Sequence, residues 1–243
     1  MSIRIDGLLE YLFDGQPHLL AESMATWLAS SRRFVDFVDT FRDKIRKKLR
    51  TTVEAETQLD LQLELETAYL LLQERTLHVE YEPLPPRQAR SPDFAVTYTT
   101  SLTLMVEVTR LRAGTFDPLA EVVTPRIDGR LIDSICGKLG QLLPQTCNVL
   151  LIGTEALPVT QGELHATLLE IQQRAERNDH AFLRRHRFRD RAAFFRCYQR
   201  VSEILVRGAT VPATEPLVTW TNPQAKHLLP SKVRTALYRS QTV

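Results

Sequence analysis

Two carboxylates, Asp93 and Glu107, stand fourteen positions apart in the stretch Ser91–Arg112. Asp93 follows Pro92 at the head of one strand-like run, SPDFAVTYTT. Glu107 lies inside the next, LTLMVEVTRLR, with a turn at Thr100-Ser101 between them. The neighbours of Glu107 are Leu104, Met105, Val106 and Val108, so the acid interrupts an apolar, β-branched run. Burying a carboxylate is expensive unless a cation or a proton compensates. Two such acids on adjacent strands can aim at one point and hold a divalent cation through oxygen donors. The alternative is a half-exposed hairpin, with Glu107 facing solvent and Asp93 serving as a turn residue after proline. Strand alternation places Met105, Glu107 and Thr109 on one face and Val106, Val108 and Arg110 on the other. Spacing alone does not choose between the two readings.

The elements around this hairpin follow from apolar periodicity. Residues 1–50 read as helical. Leu8, Leu9, Tyr11, Leu12 and Phe13 form a first cluster, and Gly15 and Pro17 break it. From Leu19 to Arg50 the apolar positions recur at helical intervals, in one helix or in two divided near Ser30-Ser31. Between Phe41 and Arg50 there are six basic residues and one acid, a solvated helix face or a phosphate-contacting one. Residues 52–74 are ambiguous. LDLQLELE alternates as a strand does, yet leucine, glutamate and glutamine favour helix and no β-branched residue is present. The expectation is a helix, with either Glu64 or Glu66 facing inward.

A short strand at Leu77–Tyr81 is expected next, followed by a loop rich in proline and arginine, EPLPPRQARS, and then the hairpin. Ala113–Val123 reads as a loop, and about Pro125 to Leu143 as a helix closed by Pro144. CNVLLIG, Cys147–Gly153, is a short apolar run bounded by turn residues, as in a strand covered on both faces. A helix joining two strands of one sheet implies a crossover and an α/β layered domain, with the order α-β-β-β-α-β over about residues 52–153. Residues 161–206 read as two further helices, and 207–243 as a β-prone fragment, Leu217–Trp220, with a basic tail.

The totals exclude several classes. A chain of 243 residues with 43% hydrophobic and 25% charged residues can bury a core, and its net charge of +2 gives no global basic field. Cys136, Cys147 and Cys197 are odd in number and unpaired in spacing, which suggests free thiols in a reducing compartment. No signal-peptide pattern and no membrane-length apolar run is visible, so the expected location is the cytoplasm, away from membranes. GxSxG, Walker-type and GxGxxG motifs are absent, which disfavours ATP-driven and nucleotide-cofactor chemistry. His180 and His186 have no partner spacing for a zinc site or a dyad.

The order of elements, with Pro92-Asp93, then Glu107-Val108-Thr109, then GKLGQLLP carrying Lys138 and Gln141, then NVLLI, resembles the PD-(D/E)xK nuclease superfamily. The likeness covers about a hundred residues, under half the chain. It implies a restriction-endonuclease-like α/β core, a central mixed sheet flanked by helices. The core would occupy residues 52–155, between a helical N-terminal arm (1–51) and a helical C-terminal extension (156–243). It also implies a metal-dependent nuclease that hydrolyses phosphodiester bonds of nucleic acid, DNA before RNA, with Mg2+ or Mn2+ as cofactor. Asp93, Glu107 and the carbonyl of Val108 would be metal ligands, with Glu64 or Glu66 as an auxiliary acid. Many members of the superfamily cut as dimers, so a homodimer is one expected state.

One departure stands out: Thr109 occupies the place of the family's lysine. The family tolerates migration of that lysine to a neighbouring helix, which makes Lys138 the expected substitute and Gln141, one turn on, its companion. For Gln141 an amide capping or bridging within the helix bundle is the structural alternative. The basic segments Phe41–Arg50 and Arg184–Arg200 would line a phosphate groove or engage in salt bridges, and Phe182, Phe188, Phe194 and Phe195 would stack on bases or fill the core. Two further functional readings remain. One is an inactive nuclease fold that binds nucleic acid or protein. The other is a mainly helical interaction protein, in which Asp93 and Glu107 would be solvated or paired with arginines, far from Lys138.

Overall fold

The computed structural model describes residues 3–84, 91–112, 127–154, 158–208 and 216–242. The expected loop at Ala113–Val123 and the start of a helix at Pro125 lie outside these residues, as does part of the proline- and arginine-rich loop. Three helices lead the chain: α1 (Ile3–Phe13), α2 (Ala21–Ser30) and α3 (Arg32–Thr51). The break between α2 and α3 falls at Ser31, whose hydroxyl accepts the N–H of Phe34 and caps α3. The ambiguous stretch is helix α4 (Ala55–Gln73), with nine buried residues including Leu61, Leu63, Leu65 and Leu70. A helix covered on nearly every side needs no single apolar stripe, which is why its sequence could mimic strand alternation.

The sheet has six strands in chain order: β1 (Leu77–Tyr81), β2 (Phe94–Tyr98), β3 (Leu102–Leu111), β4 (Cys147–Thr154), β5 (Val201–Gly208) and β6 (Val218–Thr221). β1, β2 and β3 form an antiparallel meander, β3, β4 and β5 run parallel, and β6 returns antiparallel. The parallel link from β3 to β4 passes through helix α5 (Ile127–Leu139), the crossover expected from sequence. β4 is buried along its whole length. This is an α/β fold with a mixed sheet flanked by helices.

The second half of the chain departs from the sequence reading. Residues 161–206 hold α6 (Gln161–Glu176), α7 (His180–Arg185) and α8 (Arg191–Tyr198), and then β5 in place of continued helix. VSEILVRG carries two charges in a strand buried along nearly its whole length, which hid its β character; both charges find partners inside. The basic tail is partly helix, α9 (Ser231–Ser240). The expected boundary at residue 155 does not divide the sheet, because β5 and β6 continue it.

Two apolar layers sandwich the sheet. One, including Phe34, Leu63, Val106, Val149 and Leu237, joins α1–α4 and α9 to the first face; the other, including Leu131, Leu150, Leu168 and Phe194, joins α5, α6 and α8 to the second. Phe182, Phe188 and Phe194 are buried in this second layer, so they are core residues and do not offer faces to bases. All three cysteines are free. Among the described residues, no helix is long and apolar enough to cross a membrane.

Candidate active site

β3 is twice as long as β2, and the mismatch creates the site. The last β3 residue paired with β2 is Val106, opposite Phe94. Beyond it the edge of β3 is open, and groups from both faces of the sheet can meet there. Asp93, one residue before β2, fills the first gap by accepting the N–H of Val108 at 2.7 Å. Glu107 points to the face covered by α5, where it is 3% exposed and takes the Nζ of Lys138 at 2.7 Å. Val108 and Arg110 point to the other face, toward α4. The alternation read from sequence is the one observed.

From the α4 side comes Glu64, half-buried, which accepts Lys48 of α3 at 2.6 Å and the hydroxyl of Tyr81. Lys48 also reaches Glu82 at 2.8 Å and lies 4.8 Å above the Tyr81 ring. A cleft of about 430 Å³ gathers Lys48, Asp60, Glu64, Asp93, Thr109 and Lys138, with Arg110 and Arg112 beside them. Glu107 does not line this cleft; Lys138 lies between it and the opening.

Electrostatics follow from this crowding. Burial pushes the Asp93 carboxyl up to about 6, and the nearby Glu107 adds to the shift against the opposing pull of Lys138. Burial also pushes Glu64 up to about 7, with Asp93 raising it further and Lys48 opposing. For Lys48, burial disfavours the charge, but Glu64 and Glu82 outweigh it and hold the pKa above the ordinary lysine value. Asp93 thus stands between two acids, Glu64 and Glu107, and is repelled by both. Asp93, with a single backbone hydrogen bond and no cation at ion-pair distance among the described residues, is the least compensated of the three.

The expected site residues separate into two groups. Asp93, Glu107, Lys138, Glu64 and Val108 come together. Glu66 does not: it is buried on another side of α4 and pairs with Arg207 of β5 at 3.0 Å, so it cannot serve as the auxiliary acid. Gln141 also stays away, donating its amide to the Gly137 carbonyl at 3.2 Å and so capping the end of its own helix. Of the basic segment Phe41–Arg50, Arg46 and Arg50 are spent on Asp14, and Lys44 donates to the carbonyls of Tyr81 and Glu82. Only Lys48 of that run lines the cleft.

Several cleft residues were missed in the sequence. Arg110 and Arg112 are held by Asp60, and Arg110 also by Glu56. A signal existed: Glu56, Asp60 and Glu64 recur every four residues and so form one acidic stripe on α4, matched by an arginine on the apolar face of β3. Among the described residues, no three Asp, Glu, His or Cys side chains form a ready metal cluster. Glu107 is drawn to Lys138, and Glu64 to Lys48. Comparison with family models, with curated proteins and with solved structures finds no match.

The donor set can nonetheless be tested against a hard divalent cation. Every candidate donor is an oxygen, two acids are strongly crowded, and the Asp93 carboxylate keeps acceptor capacity beyond its single hydrogen bond. Such a site suits Mg2+ or Mn2+ better than a softer metal. A cation there would relieve the mutual repulsion that raises Asp93 and Glu64.

Proposed function

We propose that the protein is a metal-dependent phosphodiesterase acting on nucleic acid, DNA first, through a PD-(D/E)xK-like core. The observation that carries this reading is the meeting of Asp93, Glu107 and Lys138 at the open edge of β3. An interaction protein with a purely structural sheet would have left the two acids solvated or on arginines. Here Glu107 is buried and its partner is the lysine of the crossover helix.

Asp93 and Glu64 would hold the ion in the cleft, with the Val108 carbonyl beside them, and Glu107 would join them once Lys138 turns from it toward phosphate. When bound, Mg2+ or Mn2+ supplies a polarised water and neutralises charge on the scissile phosphate. The chain's own groups account for the rest. Lys138 places a positive charge where negative charge develops on phosphate, the part left open by Thr109. Arg112, preset by Asp60 and exposed, offers a planar guanidinium group at the cleft for phosphate oxygens, while the buried Arg110 fixes Asp60 and Glu56 behind it. Lys48 opposes the upward push of burial on Glu64 and favours its ionised form.

A second reading, a nuclease fold that binds without cutting, is favoured by one observation: Lys138 closes over Glu107, so that acid is already neutralised. Cleavage of supercoiled and single-stranded DNA in Mg2+ or Mn2+ separates the two. Loss of cleavage in Asp93→Ala and Glu107→Ala supports the nuclease. Absence of cleavage in the wild type, with DNA binding retained, supports the binding module.

A further inference from the structure

A second cavity, of about 400 Å³, lies on the other side of α5. Its lining includes Arg187, Arg189 and Arg196, with His186, over a floor formed by Gly137 and Gly140. Cys136, which also lines the cavity, is roughly half a turn around the helix from Lys138, so the two sites use different faces of α5. Among the described residues, no carboxylate lines this cavity. The acids nearby are already engaged: Asp133 with Arg185 and, at 3.6 Å, with His186, Asp179 with Arg174, and Asp190 with Arg189 and the N-terminus of α8. Arg187 and Arg196 have no carboxylate at ion-pair distance among the described residues.

Four details suit an anion. A Cβ added at Gly137 or Gly140 would meet nothing within 4 Å, so these glycines border open space. Gln141 occupies the nearby end of α5, donating its amide to the Gly137 carbonyl and its backbone N–H to the Lys138 carbonyl, which blunts the negative end of the helix beside the arginines. Arg187 sits at φ 62, a left-handed conformation fixed by the Phe188 N–H on the Leu183 carbonyl. That position favours glycine or asparagine, and an arginine there costs about 1 kcal/mol. Two guanidinium groups without an ion-pair partner among the described residues, Arg187 and Arg196, face a concavity and focus a positive field there, and their fork geometry matches phosphate oxygens.

We infer that this cavity is a binding site for a phosphate group, either free or carried by a nucleic-acid strand. The inference does not rest on the nuclease reading. The test is calorimetric titration of the full chain in EDTA, where cleavage plays no part. Inorganic phosphate and a short 5′-phosphorylated single strand are the two probes. The proteins are the wild type, Arg187→Asn/Arg196→Gln and the control Lys232→Ala on α9; asparagine tolerates the left-handed backbone, so the double variant is expected to fold.

Saturable binding of at least one probe, weakened about tenfold or more in the double variant and unchanged in the control, is expected for loss of two charge-assisted contacts. Phosphate that binds and competes with the strand identifies a free phosphate group as sufficient. Binding of the strand alone identifies its backbone as the ligand. Failure of both probes to bind the wild type, or full binding by the double variant, overturns the inference.

Discussion

Asp93 Oδ2 accepts the backbone N–H of Val108 at 2.7 Å, just past the point where β2 stops pairing with β3. One carboxyl oxygen therefore finishes the ladder while the group stays at the cleft. Asp93→Asn keeps an acceptor and removes the charge. It is expected to abolish cleavage while leaving the urea midpoint unchanged or raised, because repulsion with Glu107 is relieved. Asp93→Ala also removes the acceptor and should cost about 1–2 kcal/mol. If both variants cleave like the wild type, Asp93 is a ladder cap only.

The pair Lys138–Glu107 makes a different prediction. Removing one partner of a buried ion pair strands the other, so Lys138→Met should destabilise by about 3 kcal/mol, and Glu107→Gln in the same chain should restore most of that loss. Both variants should lose about a hundredfold or more in cleavage. Thr109 lines the same cleft at the position where the resembling family carries its lysine. Thr109→Lys added to Lys138→Met should therefore return measurable cleavage. Its failure, with the fold intact, would tie the role to α5.

Gly153 of β4 shows how closely α4 approaches the sheet. An added Cβ would come within 2.5 Å of Leu63 Cδ2 and 2.6 Å of Cδ1, and Leu63 is itself buried. Gly153→Ala must move the buried Leu63 side chain, and α4 with it where Leu63 has no other rotamer, and should cost about 1–3 kcal/mol. Leu63 precedes Glu64, so the same shift should weaken the Mg2+-dependent rise in melting temperature. An alanine variant with wild-type melting and metal response would show that Leu63 adapts in place.

Much of this arrangement is legible in sequence because it depends on local pattern. The hairpin with its turn, the alternation around Glu107 and the crossover helix follow from periods of two and three to four. Glu64 and Glu66 were indistinguishable for a physical reason. α4 is buried on opposing sides, and the partners that decide between its acids, Lys48 and Arg207, come from elements far apart in the chain. β5 was read as helix because Glu203 and Arg207 break its apolar run. Their burial makes sense only beside Arg234, Tyr238 and Glu66, which arrive from α9 and α4. The same holds for α9, whose Arg239 reaches Glu74 across the fold. Long-range charge pairing leaves no periodic trace.

Glu64 carries the clearest pH dependence. Its carboxyl is raised from an ordinary 4.5 to about 7, by burial first and by Asp93 next. A carboxyl with a higher pKa in the folded state than in the unfolded chain binds its proton more tightly when folded. Its contribution to stability is therefore full below about 4.5 and is lost as pH rises through about 7. Glu64→Gln keeps an acceptor for Tyr81 and does not titrate. In EDTA, the wild type should lose stability relative to this variant between roughly pH 5 and pH 8. The shift sets an upper bound near 3 kcal/mol, and partial solvation brings the expected loss to about 1–2 kcal/mol. Urea midpoints across that range measure it. Millimolar Mg2+ at the alkaline end should restore the wild type and leave Glu64→Gln unchanged, since an ion that binds only the folded state stabilises it in proportion to its affinity. A stability difference that is flat with pH would mean that Lys48 keeps Glu64 ionised throughout. Equal Mg2+ effects on both proteins would remove Glu64 from the ligand set while leaving Asp93 and Glu107 in it.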